Sequence, residues 1–297
     1  MKQIYPNYYD NFTCIADKCN HNCCIGWEID IDDDTMDIYD SIGGEFGKRL
    51  KKGIDRKNQC FKLCEGERCA FLNKKGLCDI ILNLGEGALC DICNDHPRYR
   101  NFYSDRTEVG LGMCCEEACR IILTSNILPL LEEDDDEEAE SLSSPEAELL
   151  NVKAKILDIL SDKNSTYKDC ENKLLELCEG KLTTLNTKEI ADILLGLERL
   201  DNEWDNNIKF LTSANEFYYI CDDYSKRLTS YFIFRHLNDM STLGRAISFS
   251  VTATKIIGTI CQKAGILGDL SAIIEVCRAF SAEIEYSDEN INILLDI

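Results

Sequence analysis

The sequence is poor in basic residues. Its 297 residues include 32 Lys and Arg against 54 Asp and Glu, which gives a formal net charge of −22 at pH 7. Binding to nucleic-acid phosphates depends on clustered Lys and Arg, so this composition argues against a nucleic-acid partner. The hydrophobic content of 44% is ordinary for a globular protein, and we expect the chain to bury a substantial core.

Long apolar runs are also missing. No stretch of about 18 uncharged apolar residues, the length that crosses a bilayer, occurs in the chain. The N-terminal residues MKQIYPNYYDNFT contain no apolar segment of the kind found in secretory signal peptides. We therefore expect a cytoplasmic protein with no membrane partner.

Several catalytic motifs are absent. The sequence has only three histidines, His21, His96 and His236, and it contains neither a GxSxG turn nor an HExxH helix. It also lacks a GxGxxG turn, so the Rossmann way of holding a nucleotide cofactor is not indicated. The residues by themselves point to no catalytic side chain.

Cysteine is abundant, and thirteen of the 18 cysteines fall between Cys14 and Cys119 in short clusters. The clusters run Cys14-x4-Cys19-x3-Cys23-Cys24, Cys60-x3-Cys64-x4-Cys69-x8-Cys78, Cys90-x2-Cys93 and Cys114-Cys115-x3-Cys119. A reducing cytosol keeps thiols free, and thiolates at such spacings chelate metals. The sequence therefore predicts metal ligands rather than a disulfide framework.

The spacing favours an iron–sulfur cluster over zinc, although zinc remains an alternative because both accept four thiolates. Structural zinc modules tend to present two CxxC pairs, and here only Cys90-x2-Cys93 has that form. Cys-Cys doublets and wider intervals are more typical of sulfurs that converge from several loops onto one cluster.

An acidic run divides the chain. Residues 132–148 hold ten acidic and no basic side chains, which indicates a solvated linker. The more specific alternative is an acidic strip that docks a basic partner. We predict a mostly-α protein in three parts. A cysteine-rich, loop-rich, iron–sulfur-binding domain covers 1–131, the acidic linker covers 132–148, and an α-helical domain covers 149–297.

Apolar periodicity places the helices. A short helical region is predicted around Asp33 to Lys51, and Ser144-Pro145 marks the start of a longer helix. A stripe from Ile190 to Trp204 predicts one continuous helix. Five cysteines lie singly within predicted helices and are expected to be buried as small apolar residues: Cys170, Cys178, Cys221, Cys261 and Cys277.

Tyr231 and Arg235 are candidate cofactor-binding residues. They stand four residues apart, so on a helix they share one face. An arginine among apolar neighbours needs a carboxylate partner, which is either a cofactor carboxylate or a nearby glutamate. The sequence does not distinguish a cofactor carboxylate from a glutamate, and a structural ion pair with a glutamate is the more common case.

Four segments around the cysteines, FTCIADKCNHNCCIGWEIDID, CAFLNKKGLCDI, LGEGALCDICNDHPRY and GLGMCCEEA, resemble the flagellin lysine-N-methylase family, called FliB. The later segment YFIFRH is similar to a recurring segment of the same family. The family pattern falls on the following cysteines, which the resemblance implies as metal ligands: Cys14, Cys19, Cys23, Cys24, Cys69, Cys78, Cys93 and Cys114. The remaining five of the thirteen are additional in this chain: Cys60, Cys64, Cys90, Cys115 and Cys119.

The resemblance implies methyl transfer from S-adenosylmethionine to lysine side chains of flagellin by an enzyme that carries a [4Fe-4S] cluster. A radical-enzyme cradle, CxxxCxxC, is not matched, because Cys19-x3-Cys23-Cys24 shares only its first interval. The alternative is a non-catalytic metal-binding module, with zinc or a structural cluster, that recognises a protein partner.

Overall fold

Helices dominate the computed structural model of the protein, which describes residues 1–134, 141–178 and 184–297. The predicted mostly-α class is confirmed. The described strands are β1 (Lys2–Pro6), β2 (Ile54–Asp55), β3 (Cys60–Phe61), β4 (Leu63–Cys64), β5 (Arg68–Cys69), β6 (Arg98–Phe102), β7 (Arg106–Leu111) and β8 (Leu130–Asp134). The described α-helices are α1 (Asp33–Ser41), α2 (Gly44–Gly53), α3 (Asp79–Leu84), α4 (Asp91–Asp95), α5 (Glu116–Thr124), α6 (Ser144–Ser161), α7 (Tyr167–Leu177), α8 (Thr187–Gly196), α9 (Trp204–Thr212), α10 (Asp222–His236), α11 (Leu243–Ala264), α12 (Leu270–Phe280) and α13 (Asp288–Leu295).

The chain forms two compact units. One, the helical unit, joins residues 1–12 to residues 99–297, and the other, the cysteine-rich unit, consists of residues 13–98. This division differs from the predicted boundary at residue 131, because the N-terminal strand β1 pairs with strands that come after the cysteine-rich unit in the sequence. The first twelve residues of the chain therefore fold with residues 99–297.

A four-stranded sheet in the order β6-β7-β1-β8 belongs to the helical unit. Strand β1 runs parallel to β7, with Gln3 opposite Thr107, and antiparallel to β8, with Tyr5 opposite Leu131. The predicted acidic linker, 132–148, begins within strand β8 and ends within helix α6, which starts at Ser144. The middle of the predicted linker, 135–140, lies outside the described residues.

The long helices α10 and α11 form the centre of the helical unit. Ile233 of α10 and Ile257 of α11 are fully buried, as are Ser250 and Thr254 of α11. Between Ala246 and Cys261, α11 has buried residues on every face. The two hydroxyl groups bond to carbonyl groups one turn earlier in their own helix, which satisfies them without water. A helix buried on all sides is stabilised by packing rather than by one apolar stripe.

Local sequence sets the helix starts. Ser143 and Glu146 form a capping box at the beginning of α6, next to Pro145, as the predicted start signal requires. A capping box also begins α7 at Thr166 and α8 at Asn186. These short-range bonds satisfy the first backbone N–H groups of each helix, so the starts could be placed from sequence alone.

The predicted continuous helix from Ile190 to Trp204 is wrong. The chain leaves the helix at Leu197 and re-enters it at Trp204. In between, the side chain of Asn290 accepts from the Glu198 N–H at 3.0 Å. The Glu283 carboxylate accepts from the N–H groups of Leu200 and Asp201. These distant side chains replace the helical acceptors, which the apolar stripe does not reveal.

In the cysteine-rich unit, the predicted helical region forms as two helices, α1 and α2. The Asp32 carboxylate caps α1 by accepting from the Thr35 N–H at 2.8 Å, so this aspartate marks a helix start. The core of the unit gathers short segments around Tyr39, Phe61 and Phe71, and it includes the buried Cys69 and Cys90. None of the described helices is both long and apolar enough to cross a membrane.

Most of the lone cysteines are buried as predicted. Cys170, Cys178, Cys261 and Cys277 lie inside the helical unit. Cys221 is the exception, because it is exposed at the residue preceding α10. Cys221 is extended and lies outside the helix, so helical periodicity does not apply to it.

Candidate metal centre and a buried arginine cluster

Three cysteines of the cysteine-rich unit are held together by backbone contacts. The Cys69 N–H donates to the Cys24 carbonyl at 2.8 Å, and an isolated bridge pairs Leu72 with Cys78. The turn between Leu72 and Cys78 is further tied by Asn73, whose N–H donates to the Leu77 carbonyl. Segments distant in sequence thereby bring Cys24, Cys69 and Cys78 into one region.

Seven thiols interact there. One is the exposed Cys64, which acts on Cys69. We call the other six the thiol cluster: Cys23, Cys24, Cys69, Cys78, Cys90 and Cys93. Cys23 and Cys24 share a side-chain hydrogen bond, and so do Cys90 and Cys93. Electrostatic interactions link Cys24 to Cys69 and Cys78, and Cys93 to Cys24 and Cys69. Five of the six are among the cysteines implied as ligands, and Cys90 is the addition.

The thiol cluster resists accumulating negative charge. The hydrogen bond from Cys24 lowers the pKa of Cys23 to about 7, while the same bond raises the pKa of Cys24 far above its usual value. Burial raises the pKa of Cys69 to about 11. Neighbouring thiols therefore oppose one another's ionisation, and a bound cation reverses this because it stabilises thiolates.

The donor chemistry fits a thiophilic metal, but a ligand geometry is not assembled. Among the residues described, no three His, Cys, Asp or Glu side chains are arranged to hold a metal ion. The predicted metal-binding character of the N-terminal part thus stays a prediction. What supports it is the grouping of thiols with no disulfide among the described cysteines.

The other three cysteines implied as ligands make different contacts. Cys14 is exposed, and the Cys19 thiol donates to the His21 carbonyl at 3.1 Å. Cys114 belongs to the helical unit, where its thiol hydrogen-bonds to Tyr286 and burial raises its pKa to about 12. Trp27 donates from Nε1 to the Cys23 carbonyl at 2.8 Å, with its ring partly exposed.

A buried arginine cluster lies in the helical unit around the predicted pair Tyr231 and Arg235. One terminal nitrogen of Arg235 donates to the Tyr231 hydroxyl at 2.8 Å, and that hydroxyl donates to Glu285 at 2.9 Å. Arg235 Nε lies 3.4 Å from Glu285 Oε1, and His236 Nε2 lies 2.6 Å from the same oxygen. The Met113 N–H also donates to Tyr231 at 3.2 Å.

Two tyrosine rings flank the guanidinium of Arg235. Its central carbon lies 4.8 Å from the ring centre of Tyr99 and 5.0 Å from that of Tyr286, which is the geometry of a cation–π contact. Tyr99 packs closely only because residue 110 is glycine. A β-carbon there would stand 2.3 Å from the Tyr99 ring.

The charges in the arginine cluster balance. Burial alone would raise the pKa of Glu285, but the charge of Arg235 and the hydrogen bond from His236 hold it below its usual value. Burial lowers the pKa of His236 despite its contact with Glu285. At neutral pH the cluster is therefore an ion pair between Glu285 and Arg235 with a neutral imidazole beside it.

Sequence reasoning placed Tyr231 and Arg235 on one face, and the structure shows them hydrogen-bonded. It missed Glu285, which supplies the expected carboxylate from about fifty residues downstream, and no local pattern marks that residue. It also left out Cys90 from the implied ligands, although the CxxC spacing was a signal for it. Whether Tyr231 and Arg235 bind a cofactor stays a prediction.

Comparisons with known proteins reach part of this chain. A segment covering 41% of the chain is 27% identical, over 134 residues, to the lysine-N-methylases of Salmonella choleraesuis and Salmonella typhimurium. It has the same identity to the flagellar biosynthetic protein FliU of Salmonella muenchen, of which it covers 79%. The match spans 33% of the length of each of the two lysine-N-methylases. No family model and no solved structure matches the chain.

Proposed function

We propose that this chain is a protein-lysine N-methyltransferase that uses S-adenosylmethionine as methyl donor and acts on flagellin in the cytoplasm. The observation that carries the proposal is the similarity to lysine-N-methylases of two Salmonella strains over 134 residues. The similarity to a flagellar biosynthetic protein supports flagellin as the substrate.

We further propose that the cysteine-rich unit holds a [4Fe-4S] cluster, with zinc as the alternative metal. The residues that would hold it belong to the thiol cluster, whose interacting sulfurs suit a metal that binds thiolates. A bound cluster would link the loops that carry its ligands. Its iron would act as a Lewis acid if one coordination position stayed open.

The arginine cluster is the proposed donor-binding region. A guanidinium has five N–H donors, and the contacts to Glu285 and Tyr231 engage only Nε and one terminal nitrogen of Arg235. The other terminal nitrogen suits the carboxylate of the donor's methionine part. Methyl transfer itself needs a neutral lysine amine positioned in line with the sulfonium carbon, and we assign no residue to deprotonating it.

A label-transfer assay tests the enzyme proposal. Purified protein is incubated with S-adenosylmethionine labelled at the methyl group and with unmethylated flagellin, and label on flagellin lysines is measured by mass spectrometry. We expect label on flagellin and none on an unrelated control protein with the same number of lysines. Label on neither protein, from metal-loaded material prepared without oxygen, contradicts the proposal.

A substitution tests the donor site. Arg235→Lys keeps the charge but removes the planar fork, so we expect donor binding at least about tenfold weaker by calorimetric titration. Arg245→Lys is the matched control, because Arg245 pairs with Asp296 in an exposed ion pair. Equal donor affinity in both variants would remove Arg235 from the site.

A non-catalytic metal-binding module is the second candidate. It is favoured by the neutralisation of Arg235 by Glu285 and by the small size of the described cavity beside Tyr231, about 20 Å³, which is room for about one water. Metal analysis of protein isolated without oxygen separates iron from zinc. Metal-loaded protein that binds flagellin without transferring label would favour this candidate.

A further inference from the structure

Cys90 is one of the five cysteines that are additional to the family pattern. Its side chain is fully buried, and it lies in the core of the cysteine-rich unit with Cys69. Cys24, Cys78 and Cys93 are half-buried and pack against the same core. Cys90 therefore lies in a core that combines apolar side chains with other thiols.

Cys60 provides the comparison within the same unit. It is also buried, and it is likewise additional to the family pattern. The groups that influence Cys60 are the carboxylates of Glu28, Asp30 and Asp55, with no thiol among them. Burial alone therefore does not bring a cysteine of this unit into the thiol cluster.

The local backbone pairs Cys90 with Cys93. Cys90 directly precedes the short helix α4, and its carbonyl accepts from the Asn94 N–H at 2.9 Å. This turn brings two sulfurs three residues apart to one side, and their side chains hydrogen-bond to each other. Cys93 in turn interacts with Cys24 and Cys69. Two sulfurs in this arrangement can bind one thiophilic metal ion.

We propose that Cys90 is a metal ligand of this protein and acts with Cys93 as a chelating pair beside Cys24, Cys69 and Cys78. The inference rests on the proposed function in one respect, that the cysteine-rich unit binds metal. It adds a ligand that the family pattern does not supply. No covalent or redox step is involved, since each thiol only loses its proton to solvent when the metal binds.

Cobalt titration of the full-length protein tests the proposal. Reduced protein is titrated with Co²⁺ without oxygen, and the sulfur-to-cobalt charge-transfer absorption reports both affinity and thiolate ligation. We expect Cys90→Ser to weaken Co²⁺ binding at least about tenfold and to reduce the charge-transfer intensity per bound ion. The control Cys60→Ser should match the unsubstituted protein in both quantities.

Alkylation of the unsubstituted protein gives a second measurement that does not depend on how a variant folds. Bound metal is expected to slow the reaction of Cys90 and Cys93 with a small alkylating agent at least about tenfold, and to leave Cys60 unchanged. Iron and sulfide retained after reconstitution without oxygen should fall at least twofold in Cys90→Ser.

The outcomes separate the two proposals. Normal Co²⁺ binding by Cys90→Ser, or an alkylation rate of Cys90 that metal does not change, overturns the role of Cys90 while the metal site stands. A Cys90–Cys93 disulfide in the metal-loaded protein also overturns it. Failure of the unsubstituted protein to bind Co²⁺, Zn²⁺ or iron overturns both metal proposals, whereas label transfer to flagellin tests the methyltransferase separately.

Discussion

The two units of this protein use buried polar chemistry in different ways. The cysteine-rich unit places a cluster of thiols at its core, with Cys69 and Cys90 buried. The helical unit buries ion pairs instead, including Glu285 with Arg235 and Glu108 with Lys153. The helical unit pairs its buried charges with its own side chains, whereas the cysteine-rich unit groups sulfur donors that suit a bound metal ion.

Cysteine has a different role in each unit. In the helical unit, Cys170 is buried in an apolar core, where it acts as a small apolar residue. In the cysteine-rich unit, short helices and two-residue strands enclose a small core. Small cores are commonly reinforced by a metal or by disulfides, and no disulfide is present among the described cysteines.

The largest expected effect is loss of metal, which should act on the cysteine-rich unit alone. Because a bound structural metal contributes several kcal/mol to folding, we expect chelation to increase amide hydrogen exchange throughout 13–98. Exchange in α10 and α11 should stay as it was. Equal loosening of α10 and α11 would contradict the comparison between the units.

Removing a buried carboxylate should be the largest effect in the helical unit. Glu285→Ala leaves the charge of Arg235 buried without its partner, so we expect a loss of about 3–5 kcal/mol in the free energy of unfolding. Urea unfolding can be followed by the fluorescence of Trp204, which is only 2% exposed, in a Trp27→Phe background. Asp296→Asn, which breaks an exposed ion pair with Arg245, should cost at most about 1 kcal/mol.

A smaller effect is expected from filling the space beside Tyr99. Gly110→Ala places a β-carbon against that ring, and we expect a loss of about 2 kcal/mol from overpacking. The displaced ring also leaves the guanidinium of Arg235, so donor binding should weaken if the arginine cluster is the donor site. Gly87→Ala is the control, since no atom lies within 4 Å of its added β-carbon. Unfolding curves that coincide for the two variants would contradict this packing.

The smallest expected effect is the loss of stability of the cysteine-rich unit in acid, which depends on His96 and not on His236 of the helical unit. Burial lowers the pKa of His96 to about 4, so the unfolded chain takes up a proton first as the pH falls below about 6.5. Stability of the cysteine-rich unit is therefore lost on acidification, by about 1 kcal/mol between pH 7 and pH 5.5. His96→Gln should flatten this dependence in hydrogen exchange of 13–98, and His236→Gln should leave it unchanged.

Much of the secondary structure could be predicted because its signals are local. The capping residues Ser143, Thr166 and Asn186 lie beside the N–H groups that they satisfy, so the helix starts follow from short segments. The break after Leu197 could not be predicted, because its acceptors, Asn290 and Glu283, come from more than eighty residues away.

The sequence alone determined that this is a mostly-α protein with clustered thiols, and that Tyr231 and Arg235 share one helical face. Composition and short-range periodicity are sufficient for such properties, since they depend on neighbours along the chain. Only the tertiary structure decided that Glu285 is the partner of Arg235, that Cys90 joins the thiol cluster, and that β1 completes the sheet of the helical unit. These depend on contacts between distant segments, which packing selects and local sequence does not encode.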